Sequence, residues 1–293
     1  MLDRLFQALV DGVLQGSVLS LAAVGFSLIF GVLGVINLSH GVLIILGAYL
    51  ALVALRTIGL DPLLALPLIA AICFGVGYLY QRFLISPAIR RASLLSSLLV
   101  TYGVALILQN LFTLVFSADN QSVRPDYANS FDRFGGITVN RLQLIAFAIS
   151  CVLIAVLAWV LRRLPIGRSI RATAEHELAA RLCGVDTDQI YAISFGLSAA
   201  FAGAAGVLIG MLFPFAPSSQ EDWTIYGFVV VVLGGAGSAA GALLGGLLLG
   251  IISALTGAFV GPAYPNAVAF LVLVLMLLLR PHGLLGSAFH GSR

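Results

Sequence analysis

Long runs without a charged residue dominate this sequence of 293 residues. A helix that crosses the hydrocarbon core of a bilayer needs about 20 apolar residues, and several of these runs are at least that long. Composition agrees, because 60% of the residues are hydrophobic, whereas soluble domains are about 45–50% apolar. A membrane β-barrel is excluded, since its strands alternate polar and apolar residues over short segments. The uncharged runs cover residues 12–55, 62–81, 92–118, 142–161, 189–220 and 223–279.

These runs predict an all-α polytopic transmembrane bundle of about 8–9 spans, in a single domain over residues 1–293. The first run lacks the basic start, short apolar core and small-residue cleavage site of a signal peptide, so we expect a retained helix. The predicted spans are residues 9–33, 41–57, 62–81, 94–116, 140–161, 189–211, a long segment at 224–257, and 264–280.

Arginines in the short connections predict the orientation in the membrane, since short cytoplasmic loops are enriched in basic residues. All 15 basic residues are arginine, and they cluster in the loop 82–91, in the segment 162–188 and at Arg280. We therefore expect these three regions to be cytoplasmic. The connections 117–139 and 212–223 contain several acidic residues and should face the other side.

The number of crossings then constrains the segment 224–257. The chain is outside the membrane at residue 212 and must return to a cytoplasmic Arg280. This segment therefore either crosses the membrane twice or enters and leaves it by the same face. Its glycine-rich part, "LGGAGSAAGALLGG" at 233–246, could hold the reversal, and non-helical backbone at that depth must be covered by protein or line a cavity. Residues 25–41 resemble this glycine-rich part and suggest a weak internal repeat. Counting three spans back from a cytoplasmic Arg82 places the N-terminus outside, unless one of those spans is re-entrant. Arg4 favours the opposite placement, with the N-terminus inside. The predicted break is at Gly234, Gly235, Gly237 and Gly241.

The segment 162–188 contains nine of the 27 formal charges, 15 basic plus 12 acidic, and we call it the charged segment. Within it we predict one helix of about fourteen residues, ending at Gly184 in a left-handed cap. Ion pairs at i,i+4 spacing are expected for Arg171 with Glu175 and for Glu177 with Arg181. An ordinary interfacial helix is the alternative to a partner-binding helix. One apolar stripe is predicted, at Ile170, Ala174, Leu178 and Leu182.

The pattern "GRSIRATAEHELAARLCGVDTDQIYAISFGLSAAFAGAAGVLIG" at 167–210 resembles the cytoplasmic loop and following span of the permease subunits of branched-chain amino-acid ABC importers. The segments "GVLGVINLSHG" (31–41), "TYGVALILQN" (101–110) and "RPHGLLG" (280–286) are similar to other signatures of that family, in the same order. The resemblance implies that the charged segment is a coupling loop that docks on a cytoplasmic ATPase. The residues assigned to that role are Gly167, Arg168, Arg171, Glu175, Leu178, Leu182, Gly184 and Asp186.

Polar residues inside the uncharged runs are candidates for a translocation path, since such side chains generally face the bundle interior. The alternative is that they form interhelical hydrogen bonds that only hold the bundle together. The stretch "SAAFAGAAG" at 198–206 predicts close helix packing. His40 has no companions at ligand spacing, so no metal site is expected. The candidates for the path are Asn37, His40, Thr101, Gln109 and Asn110.

The resemblance implies one membrane half of an ABC importer for branched-chain or related small amino acids, in the bacterial cytoplasmic membrane. Its partners would be a second homologous permease, two cytoplasmic ATPase subunits and an external solute-binding protein. The chain lacks a GxxxxGK[ST] phosphate loop and has no lysine, so ATP and Mg²⁺ would be bound by the ATPase and no catalytic residue or cofactor is expected here. The net charge of +3 suggests no nucleic-acid partner.

Three alternatives to this function remain at the level of sequence. A related permease for urea, amides or aromatic acids would show the same motifs, because the external binding protein largely selects the solute. An ion-coupled secondary transporter would normally retain charged residues within its spans, and only Asp11 lies near a membrane edge. A membrane enzyme would need clustered His, Asp and Glu residues, and the sequence does not cluster them.

Overall fold

The computed structural model describes residues 1–91, 94–134, 137–280 and 282–285, and most of these residues are helical. The helices are α1 (Leu2–Leu33), α2 (His40–Val53), α3 (Pro62–Tyr80), α4 (Ser86–Arg91), α5 (Leu94–Phe116), α6 (Arg141–Arg163), α7 (Pro165–Glu175), α8 (Glu177–Leu182), α9 (Thr187–Leu212), α10 (Gln220–Gly234), α11 (Ala239–Phe259) and α12 (Pro265–Leu279). Single π-helical turns extend α2 to Ile58 and α3 to Ile85. A short antiparallel pair joins β1 (Phe131–Phe134) to β2 (Ile137–Asn140).

The prediction of an all-α membrane bundle is confirmed. Seven of the described helices are long and apolar enough to cross a bilayer, namely α1, α2 with its π turn, α3 with its extension, α5, α6, α9 and α11. Helices α10 and α12 have 15 residues each and are shorter than a full span. Two predicted spans differ clearly from the observed helices. Helix α1 begins earlier than predicted, at Leu2, and the segment 224–257 is divided between α10 and α11.

Helices α1 and α9 form the centre of the bundle. In the most apolar part of α9, 83% of the residues are buried within the chain, against 17% for α5 and 22% for α6. Small residues make this possible, since Gly203 and Gly206 of α9 lie against the backbone of α2 at Gly47 and Ile44. The predicted close packing of residues 198–206 is therefore confirmed. Close approach of helix backbones through small residues is a common packing mode in membranes.

The helix packing in the first part of the chain is repeated in the last part, with the direction of the helices through the bundle reversed. Helix α1 packs most extensively on α11, and α9 packs in the same way on α3. Helices α1 and α9 also run in opposite directions through the bundle. This pairs α1–α2–α3 with α9–α10–α11 as an inverted repeat. The stretch 25–41 therefore corresponds by position to the α9–α10 connection and not, as we predicted, to the glycine-rich break after α10.

Hydrogen bonds bring three connections and the first turns of α1 to one end of the bundle, which we call the outer end. The Gln7 side chain donates to Thr138 O (2.9 Å) and accepts from Thr138 N (3.0 Å). Gln121 forms a backbone bridge to Phe215, and the Tyr127 hydroxyl donates to Asp61 (3.0 Å). The first turns of α1 and the connections 59–61, 117–139 and 213–219 thus share one face, as the count of crossings predicts.

The orientation can be tested with the native cysteines. Cys183 is exposed, whereas Cys73 is buried and Cys151 is half-buried. With Cys73→Ala and Cys151→Ala, Cys183 should react with a membrane-impermeant maleimide only from the cytoplasmic side. A variant without native cysteines and with Asp119→Cys should react only from outside, because residue 119 lies in the outer connection. Labelling of intact cells and inside-out vesicles measures both, and the reverse pattern would contradict the predicted orientation.

Candidate functional site

The charged segment folds as two helices and not as the single helix that we predicted. Helix α7 ends at Glu175, and α8 begins at Glu177. Between them His176 has an extended backbone (φ −156°, ψ 99°), and its Nδ1 accepts a hydrogen bond from Ala179 N (3.2 Å) as the N-cap of α8. Histidine is not among the residues that commonly cap helices, which explains why the sequence pattern did not reveal the break.

The break divides the predicted apolar stripe between two surfaces. Ile170 is buried in the main hydrophobic core, with 1% of its surface exposed. Leu178 and Leu182 of α8 point outward and are 62% and 81% exposed. The prediction of one continuous stripe is therefore wrong, and the outward apolar surface consists of these two leucines on a helix of six residues.

The polar residues of the charged segment hold its shape or lie at its surface. The Glu177–Arg181 ion pair forms (2.7 Å), and Arg181 Nε also donates to Thr187 (2.7 Å). Gly184 adopts the predicted left-handed conformation (φ +84°). A Cβ at Gly167 would lie less than 3.0 Å from the backbone of Leu161, so this glycine permits the tight turn from α6 to α7. Arg168, Arg171 and Glu175 are exposed.

A cavity of about 720 Å³ lies between the end of α3 and the start of α9, at the inner end of the bundle, opposite the outer end. Arg82 and Ser86 line it from the extension of α3 and from α4, and Asp186 and Asp188 line it from the start of α9. Asp186 also caps α9, since its Oδ1 accepts from Gln189 N (3.1 Å). The cavity therefore offers charges of both signs, and the same end of the bundle carries the two exposed leucines of α8, which together are suitable features for contact with another polypeptide.

The connection between α1 and α2 carries a buried polar cluster. Asn37, Ser39 and His40 are all at most 1% exposed. Ser39 Oγ donates to Asn37 Oδ1 (2.6 Å) and uses its only proton there, so the Tyr80 hydroxyl is the donor in the 3.0 Å contact with Ser39. Thr101 accepts a hydrogen bond from Leu38 N (3.2 Å), which ties α5 to this connection.

His40 is held by one bond and leaves one nitrogen without a partner. Its Nε2 lies 2.7 Å from Ala22 O, and since a carbonyl only accepts, Nε2 must be the donor. Nδ1 is then an unprotonated acceptor, and it has no protein partner among the described residues. The amide nitrogen of Asn37, Nδ2, is a donor that likewise has no partner among them. Buried polar atoms are normally paired, so these two mark a place for water or for a polar group of a passing molecule.

A chain of hydrogen bonds runs from α5 through α10 to α2. Gln220 Nε2 donates to Gln109 Oε1 (3.2 Å), and Gln220 O accepts from the Thr224 hydroxyl (2.8 Å). Thr224 Oγ1 in turn accepts from Gly41 N (3.0 Å). Gln220 and Thr224 were missed at the level of sequence, although both are polar residues in the α10 segment. Of the predicted path residues, Thr101 is tied to the connection that carries Asn37 and His40, and Gln109 is linked through α10 to the start of α2.

Asn110 does not face the interior of this chain, although interior placement was expected, and its role in the path stays a prediction. It is exposed at the surface of α5, and its side chain donates to Leu106 O (2.7 Å). Tyr102 and Thr113 are exposed on the same helix. A polar strip on a membrane helix is costly against lipid, which favours contact of this face of α5 with protein or water over contact with lipid.

The glycine-rich segment breaks after α10, at residues 235–238, so Gly235 and Gly237 lie in the break whereas Gly234 and Gly241 are helical. The backbone is non-helical between α10 and α11, with Gly235 at φ +96° and Gly237 at φ +80°. A Cβ on either Gly234 or Gly241 would lie less than 3.0 Å from the backbone of the other, so the two helices touch there. Leu284 N and Leu285 N donate to Leu233 O and Gly234 O (2.9 and 3.0 Å), which satisfies the carbonyls at the end of α10. Pro281 and Gly286 of the last motif lie outside the described residues.

Comparison with known proteins identifies the family. The family model described as "Branched-chain amino acid transport system / permease component" matches residues 8–279. This chain is a member of that permease family. It is 33% identical to the high-affinity branched-chain amino acid transport system permease protein BraD of Pseudomonas aeruginosa, with 96% of this chain and 95% of BraD covered. It is 31% identical to LivH of Escherichia coli K12, with the same coverage of both chains.

The chain is also similar to permeases of a second type, named LivM. This permease is also 28% identical to the permease protein LivM of Salmonella typhimurium, with 89% of this chain and 66% of LivM covered. No solved structure matches significantly. With its apolar spans and these relatives, the chain is a multi-pass permease of the bacterial inner membrane.

Proposed function

We propose that this permease is one membrane half of an ATP-driven importer that carries a branched-chain or related small amino acid inward. The observation that carries the proposal is the inner end of the bundle, where α8 exposes Leu178 and Leu182 and a separate cavity lined by Arg82 and Asp186 carries charges of both signs. Such a surface fits a cytoplasmic ATPase, which would bind ATP and Mg²⁺ and perform the only chemistry. The permease would move between inward-open and outward-open arrangements without a catalytic residue of its own.

A second homologous permease would cover the polar face of α5. Similarity to both LivH-type and LivM-type proteins supports a pair of related but different chains. The path would then run between the two permeases, lined here by Tyr102 and Asn110, with Gln109 reaching back to Gln220. An external solute-binding protein would deliver the amino acid at the outer end.

The proposal is tested by isolating the complex from its own membrane. Affinity purification of the tagged chain in mild detergent should recover an ATPase and a second permease, and the purified complex should hydrolyse ATP faster when a loaded solute-binding protein is added. Recovery of the chain alone, with amino-acid uptake that follows an imposed ion gradient, would contradict the proposal in favour of a secondary transporter.

The α5 face gives a separate prediction. Asn110→Leu removes a polar group from the proposed path and should lower amino-acid uptake by about tenfold, the cost of roughly one strong hydrogen bond. The control is Val115→Ala, which alters an apolar residue of α5 that is 63% exposed but lies on a different side of the helix from Asn110, and it should leave uptake within about twofold. Uptake by proteoliposomes of the purified complex measures both. Equal uptake by the two variants would show that the α5 face does not line the path.

A further inference from the structure

A cavity of about 930 Å³ opens at the outer end of the bundle, on a side that the proposed coupling surface and the α5 face do not include. Helices α1, α10 and α11 form its walls, and the start of α12 and the connection after α9 close it. Its size is within the range of small-molecule sites. Neither the sequence motifs nor the proposed transport cycle assigns it a role.

The wall from α1 carries a row of four polar residues among apolar ones. Arg4, Gln7, Asp11 and Gln15 are spaced by three or four residues and all line the cavity. Residues at this spacing share one face of a helix. Asp11 accepts a hydrogen bond from Gln7 (3.0 Å), and Gln7 is fixed by its two bonds to Thr138. A carboxylate and two amides along one face of a membrane helix are expensive against lipid, and such residues usually mark a functional site.

The wall from α11 is built of small residues. Ser253, Ala254, Gly257 and Ala258 line the cavity opposite α1. Small side chains leave the space between the helices open, whereas the glycines near the other end of α11, Gly246 and Gly250, are packed against α1. Ser253 Oγ is a buried hydroxyl without a protein partner among the described residues. An unpaired polar atom on a cavity wall is the usual position of a contact to a ligand or an ordered water.

The third wall combines a charge with aromatic rings. Asp222, Trp223 and Tyr226 of α10 line the cavity, and the Trp223 ring lies 6.0 Å from Phe213 and 5.9 Å from Tyr226. The Tyr226 hydroxyl is oriented by a hydrogen bond to Asn266. Carboxylates and aromatic faces both attract cations, and Arg4 supplies one positive charge at the same cavity.

From these walls we infer that the outer cavity binds a molecule with a primary ammonium group and a neighbouring anionic group. Asp11 and Asp222 would accept hydrogen bonds from the ammonium group beside Trp223, and Arg4 would pair with the anion. Two sources supply this chemistry, the headgroup of phosphatidylethanolamine and the zwitterion of a free amino acid. The site is independent of the proposed import mechanism, since none of its residues belongs to the coupling surface or to the α5 face.

The test uses the full chain with its co-purifying subunits in nanodiscs of two compositions. One contains phosphatidylethanolamine and phosphatidylglycerol, and the other contains phosphatidylcholine, which has no N–H donor, with phosphatidylglycerol. Native mass spectrometry counts the lipids that stay bound after release from the disc. Calorimetric titration with L-leucine in the phosphatidylcholine discs measures the free zwitterion.

The wild-type chain should retain phosphatidylethanolamine in preference to phosphatidylcholine if the headgroup is the ligand, or bind L-leucine if the free zwitterion is. Asp11→Asn and Asp222→Asn should each weaken that binding by about tenfold or more, the loss expected when a charge-assisted hydrogen bond is removed. Ser253→Leu, which removes the unpaired hydroxyl and narrows the cavity without changing its charge, should also weaken it. Glu221→Gln is the matched control, because this neighbouring carboxylate does not line the cavity.

The inference is overturned if the chain binds neither probe, if it retains both lipids equally without binding L-leucine, or if the variants bind like Glu221→Gln. Elution as a single symmetric peak shows that each variant has folded. Solute-stimulated ATP hydrolysis by the same preparations reports on the proposed import function. That activity can persist when the cavity binds nothing, so failure of one proposal is distinguishable from failure of the other.

Discussion

Replacing Leu178 by aspartate is expected to uncouple this permease from its ATPase. Leu178 is 62% exposed in the chain by itself, on the outward side of α8. If the ATPase covers it, the substitution buries an unpaired carboxylate at the centre of the contact. Central side chains of protein interfaces are each worth about 2 kcal/mol or more, so we expect binding of the ATPase to weaken by roughly 30-fold. ATPase co-purification and solute-stimulated ATP hydrolysis measure the effect.

Two controls accompany this experiment. Arg171→Ala changes an exposed charge on α7 and should have a small effect, because exposed ion pairs contribute about 0–1 kcal/mol. Co-purification of the second permease shows that the Leu178→Asp chain still inserts and assembles. Normal retention and stimulation of the ATPase in Leu178→Asp would mean that α8 rests at the membrane surface and transmits nothing.

Replacing Gly241 by leucine is expected to prevent α10 and α11 from packing. A Cβ at Gly241 would lie less than 3.0 Å from the backbone of Gly234, and no side-chain rotation relieves this overlap, because the position of a Cβ is fixed by its own backbone. Overpacking costs about 1–3 kcal/mol when side chains can adjust, so we expect at least the upper end of that range here. Leucine is the better helix former, so intrinsic helix propensity would predict the opposite result. The yield of monodisperse protein and its Tm measure the outcome.

The matched control for this substitution is Gly75→Leu in α3. A Cβ at Gly75 meets no atom within 4 Å, so the larger side chain extends into open space. The yield and Tm of Gly75→Leu should stay close to wild type. If Gly241→Leu matches it, α10 and α11 are not in contact at this point.

Much of the membrane architecture could be predicted from the sequence because it depends on local properties. Uncharged runs give the spans, since each must satisfy its backbone hydrogen bonds within a helix. The glycines at 234–241 give the break, because Gly235 and Gly237 adopt positive φ values that other residues rarely tolerate. The cap at Gly184 follows from the same property. The family resemblance, confirmed over residues 8–279, likewise rests on motifs that are contiguous in the sequence.

The surfaces of the helices were decided only by tertiary structure. Helices α5 and α9 have the same mean hydropathy, 1.9, yet 17% of the one and 83% of the other is buried within the chain. Hydropathy reports whether a helix can leave water, not which neighbour covers it, so Asn110 was placed inside the chain when it lies outside. The break at His176 likewise depends on one imidazole nitrogen that caps α8. The outer cavity exists because a polar stripe of α1 meets small residues of α11, far apart in the sequence and brought together by the inverted packing of the bundle.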